Sequence, residues 1–485
     1  MKKKIAIYWS RRDFRLHDNP ALFAAIKHAK NEEIEFLPLF ILEEYMIGTS
    51  SKDQFGYPSR FFLTKALPEF AQNFGNFTVI HGKVIRTMKA LSEKFDITIF
   101  VNEDIHVDFY TQLKKLKANG IDVKLYVDAL TLSKDTKTGA KNIYSIFTPF
   151  KNAVWDEFCS APVLPKANIS SVSPHVGTLS GVKTIFCTEK KLSDTFSKSR
   201  LFQIGKKIYD IDSLISEKGE YDAWYTDEAA AIKHFDSFLK HKIETYKKDR
   251  DILDIEGTST MSVALAWGLV SARFLREKIQ KKFGENFMQQ EVPAHYVSEL
   301  IWREFYKYLL YHHPELMQTE FQQRFRGKVE WADKKVAIER FEKWIQGKTG
   351  YPIVDAAMHQ LAKTGYMHNR ARMIVASVLT KNFGVDWRWG QEYFRAMLID
   401  LDETSNNGGW QWGASVGADP KPIRIFNPYL QAENYDPQNL YQKKFLPKEY
   451  FENPPVVIIE HKKARGEALE RYGLSPSKDG FPREY

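Results

Sequence analysis

The residue types best suited to chemistry are concentrated in the second half of the chain. They fall in five polar and aromatic stretches: ETYKKDRD (244–251), EGTSTMS (256–262), SELIWREFY (298–306), MHNRARM (367–373) and IDLDETSNNGGWQWGAS (399–415). A helix over SELIWREFY would align residues three, four and seven positions apart, which are Glu299, Trp302, Arg303 and Tyr306. An acceptor, a large ring and a cation on one face could form a ligand-binding wall. An amphipathic helix with an internal ion pair would show the same pattern.

The stretch 399–415 is the least like ordinary core sequence. Asp400 and Asp402 precede Asn406, a Gly-Gly pair and the two tryptophans Trp410 and Trp412. Asn, Asp and Gly favour tight turns that expose backbone amides. Two carboxylates, a predicted turn and paired indoles favour a polyheterocyclic ligand, and no metal site is predicted.

Two other stretches allow both a functional and a structural interpretation. Thr258, Ser259 and Ser262 come just before a predicted helix, and hydroxyls and free amides at a helix N-terminus are suited to a phosphate. An ordinary capping sequence would look the same. In MHNRARM, Asn369 and Met373 are one helical turn apart and share a face. A surface Asn and a core Met would also explain that pair.

The elements that must position these residues are helices. From about residue 222 onward, strand patterns nearly disappear and apolar residues recur at helical spacing. The first 130 residues instead alternate helical patterns with apolar runs, and strands are predicted at 4–10, 34–42, 77–82, 97–103 and 123–127. Such alternation predicts a parallel sheet with helices on both faces. Asn19 before Pro20 predicts the start of the first helix, and Gly120 predicts a helix end.

The predicted fold class is therefore α/β plus all-α. A Rossmann-like α/β domain would span residues 1–131, a long linker 132–221, and a helical domain 222–485. The linker is predicted because Ser, Thr, Pro and Lys dominate between residues 160 and 200 without sustained periodicity. No G-x-G-x-x-G motif follows any predicted strand, so the dinucleotide fingerprint is absent from the N-terminal domain.

Composition narrows the class of protein without fixing its function. The 485 residues are 43% hydrophobic and 27% charged, which excludes wholesale disorder and a collagen-like fibre. The net charge of +9 permits nucleic-acid binding but does not establish it. Two cysteines cannot build a disulfide framework, so a cytoplasmic protein is expected. No secretory signal or membrane span is predicted, and the P-loop, G-x-S-x-G and H-E-x-x-H motifs are missing.

Seven motifs stand in a characteristic order along essentially the whole chain: IYWSRRDFRLHDNPAL, EGTS, SELIWREFY, KTGYPIVDAAM, MHNRARM, NNGGWQW and RIFNP. Together they resemble the photolyase/cryptochrome family, and within it the class I cyclobutane pyrimidine dimer photolyases. The resemblance implies an N-terminal antenna domain. It also implies a C-terminal catalytic domain that binds flavin adenine dinucleotide (FAD), which is reduced in the active form.

The resemblance carries a set of flavin contacts onto this sequence. Arg372 and Asp400 match an ion pair beside the isoalloxazine ring. Asn406 matches the residue that faces flavin N5, where a neutral amide suits a reduced anionic flavin. The full set of matching cofactor residues is Tyr246, Thr258, Ser259, Thr260, Met261, Ser262, Arg303, Arg372, Asp400, Asp402 and Asn406.

The resemblance also implies a pocket for a pyrimidine dimer that is flipped out of DNA. Trp302 and Trp412 match two indoles that pack on the lesion, where ring faces replace the lost base stacking. Glu299 and Asn369 match polar contacts to its carbonyl and imide edges, and Met373 matches an apolar contact. Relatives that repair the (6-4) photoproduct carry histidines in place of Asn369 and Met373, so the cyclobutane substrate is favoured. The residues expected to contact DNA are Arg250, Glu299, Trp302, Tyr306, Asn369, Arg370 and Gln431.

Three tryptophans match the family's electron relay from flavin to surface: Trp410, Trp387 and Trp331. Such residues could also be ordinary core, and only the motif match favours the relay.

The sequence departs from the family pattern at three places. Thr260 stands where Arg often follows EGTS, and Tyr366 replaces a more common Trp. Asp108 and Phe109 stand where the Asn-Glu pair of a folate antenna site would be expected. A second chromophore, of the folate or the deazaflavin type, is therefore left open.

The predicted function is light-dependent repair of cyclobutane pyrimidine dimers in UV-damaged DNA by electron transfer from excited reduced FAD. The protein would be a carbon–carbon lyase and a monomer, without a metal. One alternative is a cryptochrome photoreceptor that signals through a protein partner. Cryptochromes usually carry a long C-terminal extension, whereas only about a dozen residues follow HKKARGEALERYG (461–473). A flavin-bearing DNA-binding module without catalysis is a third possibility.

Overall fold

The alternation of strands and helices predicted for the first 130 residues is confirmed. The computed structural model of the chain describes residues 2–48, 55–105, 107–128, 135–175, 179, 183–185, 187–215, 219–419 and 423–474. Its first elements are β1 (Lys3–Ser10), α1 (Pro20–Asn31), β2 (Glu35–Leu42), α2 (Glu44–Ile47), α3 (Tyr57–Ala71), β3 (Thr78–His81), α4 (Val84–Lys94), β4 (Phe95–Asn102), α5 (Val107–Ala118) and β5 (Asp122–Tyr126).

The predicted helix boundaries have the expected local causes. The Asn19 side chain accepts a hydrogen bond from the Leu22 N–H, at 3.1 Å, and Pro20 is the first helical residue of α1. After α5, Gly120 adopts a φ of +75°, a conformation that glycine tolerates and that stops a helix.

The sheet is parallel over five strands, in the order β5-β4-β1-β2-β3. Successive residues of β1 enter different cores, since side chains alternate across a strand. Ile5, Ile7 and Trp9 pack on the side of α4 and α5, whereas Ala6 and Tyr8 pack with α1 and α3. Strand order reverses beside β1, so a crevice forms at the carboxyl ends of β1 and β4.

The segment predicted as a linker contains several short elements: α6 (Phe147–Ser160), β6 (Lys183–Ile185), α7 (Glu189–Thr195), β7 (Leu201–Ile204) and β8 (Lys207–Asp210). β6 extends the sheet by pairing antiparallel with β3, while β7 and β8 form a separate hairpin. Strands of three or four residues are too short for a periodic pattern, which is why the sequence did not predict them. The domain boundaries at 131 and 221 stay predictions.

The rest of the described chain is helical, as predicted, and no strand occurs in its described part after residue 222. The helices are α8 (Glu228–His241), α9 (Tyr246–Asp249), α10 (Ser262–Trp267), α11 (Ala272–Phe283), α12 (Glu291–His312), α13 (Lys334–Ile345), α14 (Pro352–Thr364), α15 (Asn369–Ser377), α16 (Trp387–Met397), α17 (Glu403–Gly413), α18 (Pro428–Tyr435), α19 (Leu440–Phe445), α20 (Lys448–Glu452) and α21 (His461–Arg471).

α17 is the element on which the candidate site depends, because it packs against α12, α15 and α16. These four helices bring together stretches of sequence that are up to about a hundred residues apart, with Glu299 and Trp412 at the extremes. Among the helices of the described residues, none is both long and apolar enough to cross a membrane.

Candidate active site in the helical domain

The α12 face predicted from spacing forms one wall of the site. The ring of Trp302 stacks on that of Phe147, with centroids 3.6 Å apart and planes 9° apart. The Tyr306 ring lies one helical turn further along α12, with its centroid 5.7 Å from that of Trp302 and its plane tilted by 35°. Phe147 is the first residue of α6, so the predicted linker supports this wall. In the sequence, only its apolar character distinguishes Phe147 from the polar residues of the predicted linker.

The stretch 399–415 is not the tight turn that its Asn and Gly content predicted, since most of it is helix α17. Asp402 caps the helix by accepting hydrogen bonds from the N–H groups of Thr404 and Ser405, each at 3.1 Å. A Cβ at Gly408 would lie 2.1 Å from the Tyr306 ring, so the glycine permits close packing of α17 on α12. Tertiary packing therefore overrides the low helix propensity of glycine.

Two partly buried ion pairs fix the segment that precedes α17. Arg372 Nη2 contacts both carboxylate oxygens of Asp400, at 3.0 and 2.8 Å, and its Nε donates to the Met367 carbonyl at 2.7 Å. The Arg372–Asp400 pair implied by the family resemblance is therefore present. Arg303 Nε lies 3.3 Å from Asp402 Oδ2. These contacts tie α12 and α15 to the start of α17.

The charge on Asp402 is strongly stabilised. Burial acts to raise the pKa of this carboxyl, but the positive charges of Arg303 and Lys307 and the hydrogen bonds from Thr404 and Ser405 lower it well below its usual range. Asp402 is therefore an anion that can cap α17 and orient Arg303 throughout the neutral range.

Asn406 presents an unused hydrogen-bond acceptor in the interior. Its Nδ2 donates to the Gln391 carbonyl at 3.1 Å, and this orients the amide. Its Oδ1 is buried and has no partner within the protein. A buried acceptor without a partner is costly, and it fits a ligand that brings an N–H group. The arrangement suits the N5–H of a reduced flavin.

The loop 258–262 has one strained residue. Thr260 adopts a φ of +51°, which is unusual for a β-branched side chain and is typical of functional sites. The Tyr225 hydroxyl donates to the Thr260 carbonyl at 2.8 Å, and the Ser259 and Tyr296 hydroxyls lie 2.7 Å apart. Met261 is buried in the core and Ser262 is exposed as the first residue of α10. Tyr246, also predicted to bind the cofactor, is buried against Tyr296.

The residues predicted to contact a lesion are more exposed than those predicted to bind the cofactor. Asn369 is exposed at the start of α15, and its Nδ2 lies 3.8 Å from the Met373 sulfur, so these two share a face as predicted. Trp412 is half-buried beneath Arg424, whose Cζ lies 5.2 Å from the ring centroid. Glu299 has 33% of its side chain exposed. The lesion set is therefore accessible to a macromolecule, whereas most of the cofactor set is buried or partly buried, with Ser262 as the exposed exception.

The arginines predicted to contact DNA are paired with carboxylates. Arg250 Nη1 lies 2.5 Å from Glu299 Oε1, and Arg370 Nη2 lies 2.9 Å from Asp251 Oδ2. The sequence reasoning did not single out Asp251, although it is part of the quoted stretch ETYKKDRD. Gln431 lies on α18, one turn before Tyr435, whose ring is 4.2 Å from the Arg370 guanidinium, and it is only 2% exposed. Its DNA contact stays a prediction.

The last tryptophan of the predicted relay is the most exposed of the three. Trp410 and Trp387 are buried, at 2% and 0% exposure, and Trp331 is half-buried. Gly390 makes room for Trp410, since a Cβ there would lie 2.1 Å from the indole. Trp344, which the sequence did not single out, lies 6.0 Å from Trp410 between centroids.

Two of the departures from the family pattern have structural partners. The Tyr366 ring lies 5.3 Å beneath the Arg372 guanidinium, next to the ion pair with Asp400. Phe109 is fully buried in the N-terminal core, 4.9 Å from the Arg11 guanidinium. Over the ranges that the structure describes, no group of three or more His, Cys, Asp or Glu residues is placed to bind a metal ion.

Comparison with known proteins identifies the family to which the chain belongs. A family model for DNA photolyase matches residues 6–168, and one for the FAD binding domain of DNA photolyase matches residues 296–479. The deoxyribodipyrimidine photo-lyase of Vibrio cholerae is 31% identical over 500 residues, which cover 96% of this chain and 98% of that protein. Crystal structures of a class III photolyase from Agrobacterium tumefaciens and an archaeal photolyase from Sulfolobus tokodaii with two FAD molecules are similar, at TM-scores of 0.79 and 0.77. The Agrobacterium protein is 29% identical to this chain, and the match covers 98% of each protein. The Sulfolobus protein is 25% identical, and the match covers 97% of this chain and 99% of that protein. The chain therefore belongs to the DNA photolyase family, and its helical half carries the family's FAD-binding domain.

Proposed function

We propose that this chain repairs cyclobutane pyrimidine dimers in UV-damaged DNA in a light-driven reaction, with FAD as its cofactor. One observation carries the proposal. Around α17, the polar groups suited to a flavin are mostly buried, whereas the rings and amides suited to a base are at least partly exposed. The names of the similar Vibrio and Agrobacterium proteins support it.

The buried residues fit a reduced flavin. Asn406 offers a neutral acceptor to an N–H group, and it places no carboxylate where it would repel an anionic ring. Arg372 and Arg303 are each held by an aspartate, so their positions are fixed before the cofactor arrives. Tyr246 and the loop 258–262 would contact the phosphate portion. When bound and reduced, FAD would supply light-driven electron transfer that splits the dimer without net oxidation or reduction, and Arg372, Arg303 and Asn406 would hold it in position.

The exposed residues would recognise the flipped dimer. Trp302 and Trp412 supply ring faces that replace base stacking, and Met373 adds an apolar contact. Asn369 can donate its amide N–H to a pyrimidine carbonyl, and Glu299 can accept from an imide N–H. Because negative charge develops on the pyrimidine carbonyls when the dimer gains an electron, preorganised polar groups stabilise that state. Arg250, Arg370 and Tyr306 would contact the DNA around the lesion.

The other predicted features belong to the same proposal. Trp410, Trp387 and Trp331 would carry electrons from the surface to an oxidised cofactor, because indole is readily oxidised.

The assignment to class I stays a prediction, since the similar Agrobacterium structure is of a class III enzyme. A monomeric state and a second chromophore also stay predictions.

The test is to reconstitute the protein with FAD and to illuminate it with dimer-containing oligothymidylate and a reductant. The expected result is a flavin absorption spectrum and recovery of intact thymines under blue light, with none in darkness. A bound flavin without any repair would contradict the proposal and favour a photoreceptor. A protein that stays colourless after reconstitution would contradict the cofactor assignment itself.

A further inference from the structure

At the mouth of the proposed lesion pocket, four side chains form a continuous series of charge contacts, which we name the rim chain: Arg370, Asp251, Arg250 and Glu299. Arg370 Nη2 lies 2.9 Å from one oxygen of Asp251, and the other oxygen lies 3.9 Å from Arg250 Nε. Arg250 Nη1 lies 2.5 Å from Glu299. Asp251 therefore contacts both of the arginines that are proposed to grip DNA phosphates.

Within the rim chain, the arginines are fixed and the carboxylate faces solvent. The Arg370 guanidinium lies 4.2 Å over the Tyr435 ring, and the Arg250 guanidinium lies 5.5 Å over the Tyr246 ring. Both arginine side chains are 14% exposed, whereas Asp251 is 36% exposed. A DNA phosphate could thus displace the Asp251 carboxylate without moving either cation.

We propose that Asp251 is a positioning residue that competes with DNA phosphate for Arg370 and Arg250. This inference rests on the proposed function, in which those arginines contact the backbone. In the DNA-free protein the carboxylate holds both guanidinium groups in place and neutralises part of their charge. DNA binding then exchanges one anion for another, and the carboxylate returns when repaired DNA leaves. Because phosphate contacts supply the sequence-independent part of affinity, Asp251 keeps undamaged and repaired duplex weakly bound.

The test measures the affinity of FAD-loaded variants for an undamaged duplex and for one that carries a dimer. Asp251→Asn should bind both about three- to tenfold more tightly, because a competing charge is lost. Glu291→Gln is the matched control. Glu291 is an exposed carboxylate that is paired with Lys247 instead of the two arginines, so its removal should change affinity less than about twofold.

A double-mutant cycle separates competition from a general change in charge. In an Arg370→Ala background, Asp251→Asn should have a smaller effect than in the parent, because only Arg250 remains for Asp251 to compete for. Asp251→Glu alone should keep the parent affinity. Weaker binding by Asp251→Asn would overturn the inference, since it would show that Asp251 only supports the arginines. An equal effect with and without Arg370 would overturn it as well. Failure of the proposed function would look different, as the parent itself would show no preference for the dimer.

Discussion

Glu299 is proposed to contact the dimer, yet in the DNA-free chain its carboxylate is paired with Arg250. The same side chain would thus have two partners in succession. When a phosphate engages Arg250, the carboxylate of Glu299 becomes available to the imide edge of the lesion. Removal of Glu299 should therefore affect chemistry and DNA affinity in opposite ways.

The substitution Glu299→Ala should lower the repair yield per absorbed photon by about tenfold, the size of one lost charge-assisted hydrogen bond. Affinity for undamaged duplex should not fall, because Arg250 is released from its carboxylate. Quantum yield and filter binding measure the two effects, with Glu299→Gln as the shape-matched control. An unchanged yield per photon would show that Glu299 has no part in the reaction.

At the scale of elements, α6 and α17 support the wall that α12 presents. The Phe147 ring covers one face of Trp302, which leaves the other face for a base. Gly408 allows α17 to approach Tyr306 on the same face of α12. Phe147 and Gly408 lie in segments that the sequence predicts to be a linker and a turn, respectively.

Replacing Phe147 with Ala should weaken binding of the dimer-containing duplex by roughly 1 kcal/mol, because an aromatic pair contributes about that much beyond its buried area. Affinity for undamaged duplex should stay the same, since no base is flipped onto Trp302. Ile146→Ala is the control, because Ile146 is the preceding residue and is 39% exposed. Equal losses for both duplexes would indicate damage to the fold instead.

The pair Gly408→Ala and Gly409→Ala tests the packing of α17. A Cβ at Gly408 would clash with Tyr306, whereas nothing lies within 4 Å of a Cβ at Gly409. The first substitution should lower the free energy of unfolding by about 1–3 kcal/mol and reduce FAD retention. The second should leave stability equal or raise it by up to about 1 kcal/mol, as expected for Gly to Ala in an exposed helix. Thermal unfolding and flavin absorbance distinguish them, and equal behaviour would refute the packing argument.

At the scale of the whole molecule, the two halves are joined by buried contacts. Trp267 stacks on Phe62 of α3, with centroids 5.1 Å apart, and its Nε1 donates to the Ile399 carbonyl at 2.8 Å. Asp128, after β5, contacts Arg273 of α11 at 2.9 Å. The N-terminal half therefore helps to fix the segment that leads into Asp400.

Buried lysines make the stability of the molecule depend on pH. Burial lowers the pKa of Lys381 to about 7 and that of Lys307 to about 8, against about 10.4 in an unfolded chain. At pH values between the folded and the unfolded pKa of each lysine, the unfolded chain binds more protons than the folded protein does. The free energy of unfolding therefore rises with pH in this range. The rise should approach 1.4 kcal/mol per pH unit for each fully deprotonated lysine.

We therefore expect the FAD-loaded protein to be more stable at pH 9 than at pH 7 in urea unfolding. Lys381→Met should reduce the rise of the free energy of unfolding with pH, because the lowered pKa of Lys307 would then contribute most of it. Lys278→Met is a suitable control, since Lys278 is a partly exposed lysine paired with Asp236. Stability that is the same at both pH values in the parent would contradict the prediction.

Much of the molecule was determined by the sequence alone, because the signals involved are local or are long ordered motifs. The five parallel strands, the helical second half, the shared face of Glu299 and Trp302, and the family all followed from periodicity or from motifs. Alternation and helical spacing depend on residues close together in the chain, so they can be recognised without knowledge of the tertiary contacts.

Tertiary structure alone decided the features that depend on residues far apart in the chain. Strand β6, the stacking of Phe147 on Trp302, the contact of Asp251 with Arg370, and the helical state of 403–413 were not predicted. Each arises where packing or charge pairing outweighs local propensity. The orientation of Asn406, which leaves its acceptor free, was likewise set by the Gln391 carbonyl fifteen residues away.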